Sequence, residues 1–375
     1  MPRAGVWPEY DPPGSKMTSS AMDLDDPKTY DTLDPSAMGR RIRELPQQCL
    51  AAWKQASEFE LPADYREVNR VIVLGMGGSA IGGDLLGALN AVEGGASVSV
   101  HRGYDIPAFL DHQALLVASS YSGSTEETVS AFECGMASDA KKVILTTGGE
   151  LASLGKRKGI PVYHIRYEAA PRAAIAHSLF ALVGMCRGLG LTACTTADVE
   201  QAVSTMEELQ TIIDPAYPLE SNPAKQMAVR LRGRLACVYA GEFLAPVAQR
   251  WKTQINENSK AWAFAEELPE LNHNSVVGYR LPEDTAREVQ VVFLRSPLLH
   301  ERMLRRYEVT GDLLSRAGVA HEVVDGNGSG YLDQMMSLLL FGDWVSYYLA
   351  MLYGIDPTPV EAIDYLKQSL SKRTG

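Results

Sequence analysis

The sequence predicts an α/β protein made of two tandem doubly wound, mostly parallel sheets with a C-terminal helical segment. Three observations predict it. Short apolar runs rich in β-branched residues alternate with amphipathic stretches of helical length. The alternation stops at Asp214-Pro215-Ala216-Tyr217-Pro218, as at a linker, and then restarts. The densest glycine cluster, Gly75 to Asp84, lies directly between an apolar run and a helical stretch.

Residues 1–32 are rich in Pro, Asp, Ser and Gly without periodicity, which predicts a poorly ordered arm, with an ordered extension packed on the body as the alternative. That leaves residues 33–214 for the first unit and 215–375 for the second. Met38, Ile42, Leu45, Cys49, Ala52 and Trp53 share a helical face, with Pro46 placed to break it. Strands are then expected at Val71 to Leu74, Ser97 to His101, Ala114 to Ser119, Lys142 to Thr146 and Ile160 to His164. Helices are expected after Ser79, after Ser124, around Glu150 to Lys156, from Pro171 to Gly188 and from Thr195 to Ile213.

In the second unit Asn222-Pro223 caps a helix, Leu235 to Tyr239 reads as a strand and Leu244 to Asn256 as a helix. Strands at Val291 to Leu294 and His321 to Val324 flank a helix at Leu298 to Ala317, and helices at Tyr331 to Tyr353 and Thr358 to Ser371 close the chain. The apolar run from Met335 to Tyr353 reads as a buried helix of the core or of a subunit interface, because Asp343 interrupts it.

A chain of 375 residues with 46% hydrophobic and 22% charged residues has the composition of an ordinary globular protein of about two domains. Its net charge of −11, with only short basic runs, argues against a nucleic-acid partner. Any phosphate must therefore be held locally, by amides and hydroxyls at helix starts. The five widely spaced cysteines show no CxxC or Cys/His ligand pattern and read as free thiols. Neither an 18-residue uninterrupted apolar run nor a secretory signal is present, so no membrane partner and a cytoplasmic location are expected.

Gly75-Met-Gly77-Gly78-Ser79 follows a strand and opens a helix. Glycine allows positive φ and close backbone approach, and a helix N-terminus offers free N–H donors, so an anion is the expected ligand. Ser119-Ser120-Tyr121-Ser122-Gly123-Ser124-Thr125 has the same placement and more hydroxyls than a turn needs. A capping box of Ser124 with Glu127 accounts for part of it and leaves Ser120, Ser122 and Thr125 unexplained. Loops from neighbouring strands converge at the carboxyl edge of a sheet. The competing reading of the first loop as a dinucleotide fingerprint needs an acidic residue about 20 positions on, where this chain has His101-Arg102.

The segment from Gln254 to Asn274 concentrates amides, a carboxylate, a histidine and aromatics at a helix end and in the loop beyond. Asn256-Glu257-Asn258 places a Glu between two amides, as if to orient it. A phosphate cradle, a carboxylate and a histidine, with no metal-ligand spacing and no cofactor loop, suit proton transfer beside a carbonyl. Sugar phosphates are the matching substrate class.

Six stretches in order carry a resemblance: Gly77-Gly78-Ser79-Ala-Ile-Gly82-Gly83-Asp84, Ser120-Tyr-Ser122-Gly123-Ser124-Thr125-Glu-Glu-Thr128, Pro171-Arg172-Ala173, Asn256-Glu257-Asn258, Pro269-Glu-Leu-Asn272-His273-Asn274 and Pro359-Val-Glu-Ala-Ile363-Asp-Tyr-Leu366-Lys367. Together they resemble the bifunctional phosphoglucose/phosphomannose isomerases, built of two sugar isomerase (SIS) subdomains, from about residue 34 to the C-terminus. The resemblance implies that Glu257 moves a proton between C1 and C2, and that Arg172 stabilises the enediolate. It further implies that His273, donated to a partner subunit's site in a homodimer, and Lys367 assist ring opening. Gly77, Gly78, Ser79, Ser120, Ser122 and Thr125 would bind the substrate phosphate, without cofactor or metal. Ser124 departs from the family pattern, where an Asn is common, and the stretch between Arg172 and Glu257 is longer than in compact members. A sugar-phosphate sensor on the same fold, or an isomerase of another sugar phosphate, is the alternative.

Overall fold

The computed structural model describes residues 22–371. Three short helices, α1 (Pro27–Leu33), α2 (Met38–Arg43) and α3 (Leu45–Ser57), precede β1 (Arg70–Leu74), α4 (Gly77–Glu93), β2 (Ser97–His101) and β3 (Ala114–Ser119). Then come α5 (Glu126–Gly135), β4 (Lys141–Thr146), α6 (Gly149–Lys158), β5 (Val162–His164), a 3-10 turn at Pro171–Ala174, α7 (Ile175–Gly188) and α8 (Thr196–Ile213). The second series is α9 (Pro223–Leu231), β6 (Leu235–Gly241), α10 (Ala245–Asn258), β7 (Ala263–Leu268), α11 (Glu283–Glu288) and β8 (Val289–Arg295). It ends with α12 (Glu301–Ala317), β9 (Ala320–Asp325), α13 (Tyr331–Tyr353) and α14 (Glu361–Ser371).

The strands form two parallel sheets, ordered β2-β1-β3-β4-β5 and β7-β6-β8-β9. Strands β1 and β3 are apolar throughout their inner residues because both faces are covered, as parallel sheets require. One face of the first sheet packs its own cluster with α5 and α6, including Ile72, Leu116, Phe132 and Leu151. The chain reverses direction across the sheet between β1 and β3, the switch point where open α/β sheets bind ligands. Leu74 is in register with Ala118, so the turns after these two strands leave the sheet side by side.

Helix α13 is the axis of the molecule. Every residue from Leu332 to Leu352 is buried, and the helix packs against α2, α4, α8, α9 and α10. Gly342 lets Trp251 of α10 approach: a Cβ there would lie 2.2 Å from the indole nitrogen, which donates to Leu338 O at 2.8 Å. Asp343, the charge inside this apolar run, meets Arg250 at 2.8 Å. Burial pushes the Asp343 carboxyl above its ordinary range and the Arg250 guanidinium opposes that rise.

Several expectations are corrected. Residues 22–32 of the expected arm take the alternative and pack on the body: Leu24 is buried, Tyr30 stacks on Tyr347, and the buried Lys225 ammonium holds Leu24 O and Asp25. Residues 1–21 of the expected arm lie outside the described residues. The helix over residues 38–57 breaks at Glu44, two residues before Pro46, because proline fits the first turn of a new helix. Residues 263–268, read as loop, form the edge strand β7.

His177 of α7 is buried in a stack on Tyr167 at 4.6 Å, and neither ring nitrogen has a hydrogen-bond partner. Burial pulls its pKa from 6.5 down to about 4. Between these values the unfolded chain binds a proton that the folded chain excludes, so stability falls as pH is lowered through that window. Urea titrations at pH 7 and pH 4.5 should show a histidine contribution to this loss of up to about 3 kcal/mol. His177→Phe, which keeps the stack, should remove it; an unchanged pH dependence in that variant would place the acid sensitivity elsewhere.

Candidate functional site

Gly75 must lack a side chain because a Cβ would lie 2.9 Å from Ser119 O, where the turns after β1 and β3 touch. Gly77 takes φ +51° at the start of α4, and open space lies where its Cβ would be. Helix α4 has no side-chain cap, so its first N–H groups stay available beside Ser79. The Ser79 hydroxyl accepts from Tyr121 N at 3.0 Å, and Ser119 Oγ donates to Ser79 O at 2.9 Å. The two expected anion loops are thus locked together.

Within the second loop Ser120 is buried, shares a hydrogen bond with Thr125 Oγ1 at 2.9 Å and accepts from Gly123 N at 3.1 Å. Ser122 is exposed and accepts from Ser124 N at 3.3 Å. The expected Ser124–Glu127 capping box does not form: Thr125 is the N-cap of α5 and bonds Ser120 instead. Gly123 has φ +69° and presses on a third loop, Thr146 to Gly149, where a Cβ would sit 1.9 Å from Gly148 O. That loop follows β4 and went unread in the sequence, although its Thr-Thr-Gly-Gly composition is the same kind of signal.

Tyr121 joins these pieces. Its carbonyl accepts from Thr147 N and Thr147 Oγ1, its hydroxyl donates to Tyr167 O at 2.7 Å, and Ala169 N donates to that hydroxyl at 2.8 Å. Through it the loops after β1, β3 and β4 are tied to the segment that leads into Pro171-Arg172.

Arg172 lies in the 3-10 turn before α7, 3% exposed. A Cβ on Gly78 would come within 3.0 Å of Pro171 O and 3.4 Å of Arg172 Cα, so the first loop rests directly on this turn. The guanidinium donates through Nε to Asn258 Oδ1 at 2.7 Å and through Nη2 to Pro357 O at 2.6 Å and Thr358 O at 2.9 Å. Nη1 lies 3.5 Å from Glu257 Oε2. Arg250 Nη2 donates to Arg172 O at 2.8 Å, which joins the buried Arg250–Asp343 pair to the site. Burial lowers the Arg172 pKa and the Glu257 carboxylate opposes this.

Glu257 occupies the last turn of α10 and lines a cavity of about 480 Å³ with Asn256, Lys260, Asp356, Pro359 and Ile363. That volume lies within the range of small-ligand sites. The flanking amides do not orient the Glu257 side chain as expected: Asn256 Nδ2 donates to Ala261 O, and Asn258 serves Arg172. Lys260, missed in the sequence, takes φ +53° and donates to Glu257 O at 2.8 Å and to Pro357 O at 2.8 Å. Burial and the neighbouring Arg172 pull its ammonium pKa down to about 8.

Two expected residues stand apart from this cluster within one chain. Helix α10 starts at the carboxyl edge of β6 and runs back, so Glu257 reaches the amino edge of the second sheet. Strand β7 then crosses the sheet over six residues, roughly 20 Å. His273, sixteen residues after Glu257, is therefore exposed at the opposite edge. Lys367 lies on the exposed α14, one turn beyond the Ile363 that lines the cavity.

The family described as the bacterial phospho-glucose isomerase C-terminal SIS domain matches residues 220–370. The bifunctional phosphoglucose/phosphomannose isomerase of Caldicellulosiruptor bescii is 37% identical over 338 residues, 89% of this chain and 99% of its own. This chain belongs to the bifunctional phosphoglucose/phosphomannose isomerase family. The family's Aquifex aeolicus protein is 32% identical across 84% of this chain and 94% of its own. A solved glucose-6-phosphate isomerase-like protein from Thermus thermophilus shares the fold with a TM-score of 0.62 at 19% identity, covering 90% of this chain and 98% of that one.

In this family member the Tyr121 hydroxyl accounts for two of the bonds that fix the loops. Tyr121→Phe should lower stability by about 1–2 kcal/mol in urea titration. A loss below about 0.5 kcal/mol would mean that solvent replaces both bonds.

Proposed function

We propose that this chain is an aldose-ketose isomerase that interconverts glucose 6-phosphate and mannose 6-phosphate with fructose 6-phosphate. The observation that carries the proposal is the position of Arg172, against Gly78 of the first anion loop on one side and 3.5 Å from the Glu257 carboxylate on the other. An anchored phosphate ester thereby places its sugar carbons beside a base and a cation.

The substrate phosphate is held by Gly77, Gly78 and Ser79 and by Ser122 and Thr125, with Ser120 bracing the second loop. Glu257 takes the C2 proton of the open-chain aldose, and the electron pair left behind forms a cis-enediolate. Arg172 balances the charge that develops on its oxygens. Glu257 returns the same proton to C1 as a hydroxyl proton shifts between O2 and O1, so the ketose forms with no net gain or loss. Rotation about C2–C3 in the intermediate admits both C2 epimers.

Ring opening falls to His273 of a second copy and to Lys367. A homodimer is favoured by the exposed apolar side chains that follow His273 in the chain: Val277 is 91% and Leu281 79% exposed.

Glu257→Gln should lose isomerisation of both hexose 6-phosphates by several orders of magnitude in a coupled assay. Substantial residual activity would remove Glu257 as the base, and phosphate-sugar binding without turnover in the wild type would identify a sensor instead. Mixing inactive Glu257→Gln and His273→Ala chains after joint refolding should restore about a quarter of wild-type activity, since half the dimers would carry one intact site. No recovery on mixing would place His273 outside the partner's site.

A further inference from the structure

We propose that Asn258, oriented by Ser346, is a positioning residue that aims the Arg172 guanidinium without neutralising it, an inference that rests on the role of Arg172 proposed above. Asn258 is fully buried at the end of α10, immediately after Glu257. Its two side-chain atoms face opposite kinds of partner. Arg172 Nε can only donate, so the amide oxygen must face it, at 2.7 Å. On the other side Nδ2 donates to Ser346 Oγ at 2.9 Å. The Ser346 hydroxyl spends its own proton on Asp343 O at 2.7 Å and is therefore left as an acceptor for the amide. Ser259 Oγ adds a parallel tie to Ser346 O at 2.6 Å. The axial helix α13 thus sets the amide, and the amide sets the guanidinium.

The choice of an amide has an electrostatic consequence. Apart from Glu257, the oxygens that hold Arg172 are neutral: the Asn258 amide and the carbonyls of Pro357 and Thr358. A carboxylate at position 258 would keep the hydrogen bond to Arg172 Nε, would lose the one to Ser346 Oγ, and would set a full countercharge against the cation in a water-poor site. Ser346→Ala, which loses only the tie, therefore isolates the effect of charge. The charge then available to a developing enediolate would fall, while phosphate binding by the loops after β1 and β3 would not change.

The test is Asn258→Asp, which preserves side-chain size. It should lower kcat about 100-fold or more for fructose 6-phosphate, with KM changed less than about threefold. Inhibition by inorganic phosphate should stay at the wild-type level, whereas a sugar-phosphate hydroxamate, a planar mimic of the enediolate, should lose affinity along with kcat. Ser346→Ala, which frees the amide but adds no charge, should show the same split at about tenfold. Retained kcat in Asn258→Asp, or a loss confined to KM, overturns the proposal. Should that variant fail to fold by circular dichroism, Ser346→Ala decides by the same criteria. Arg172→Met separates the two levels. Normal kcat there rejects the reading of Arg172 and this inference with it, while a loss there beside a normal Asn258→Asp rejects the inference alone.

Discussion

A buried guanidinium is costly unless every donor is matched, and the cost is paid only if its partners are assembled around it. Arg172 meets this constraint with groups from two distant parts of the chain: Asn258 and Glu257 at the end of α10, and the carbonyls of Pro357 and Thr358 after α13. Arg250 grips its backbone from a further buried pair with Asp343. The turn that bears Arg172 also supports Gly78. One charged side chain thereby connects the first sheet's glycine-rich turn with the helix that bears Glu257.

The two sheets contribute through opposite edges. The first presents its carboxyl edge at the switch point between β1 and β3, where helix N-termini and glycine turns expose N–H donors. The second presents the far end of α10, which is its amino edge. This division explains how a chain of net charge −11 can be built to hold a phosphate. In the proposed site the attraction is local, from backbone dipoles and one cation, and requires no basic surface. It also explains why His273 lies away from Glu257 despite a short separation in sequence.

Elements with strong periodicity were legible. Strands β1, β3 and β4, the anion loops, and helices α8, α12 and α13 lie close to where spacing put them, because each buries a continuous apolar face. Strand β7 was not, since Ala-Phe-Ala-Glu-Glu-Leu at a sheet edge carries two charges and little alternation. The Ser124–Glu127 box failed because Thr125 and Ser120 satisfy each other across the loop, a competition that spacing along the chain does not express. The purpose of Asn256 and Asn258 was likewise misread, as orientation of the Glu between them.

By itself the sequence determined the fold class and the positions of the two glycine- and serine-rich loops, because glycine stereochemistry, strand-to-helix turns and helical spacing act over a few residues. Glu257 stood out between its two amides, and Arg172 became a candidate through the family resemblance alone. Only the tertiary structure decided what those candidates touch. The bonds that define the Arg172 site span 86 and 185 residues of chain, and depend on α13 holding the sheets in register. Which side chain meets which across such distances is set by the packing of whole elements, and a local pattern of residues carries no record of it.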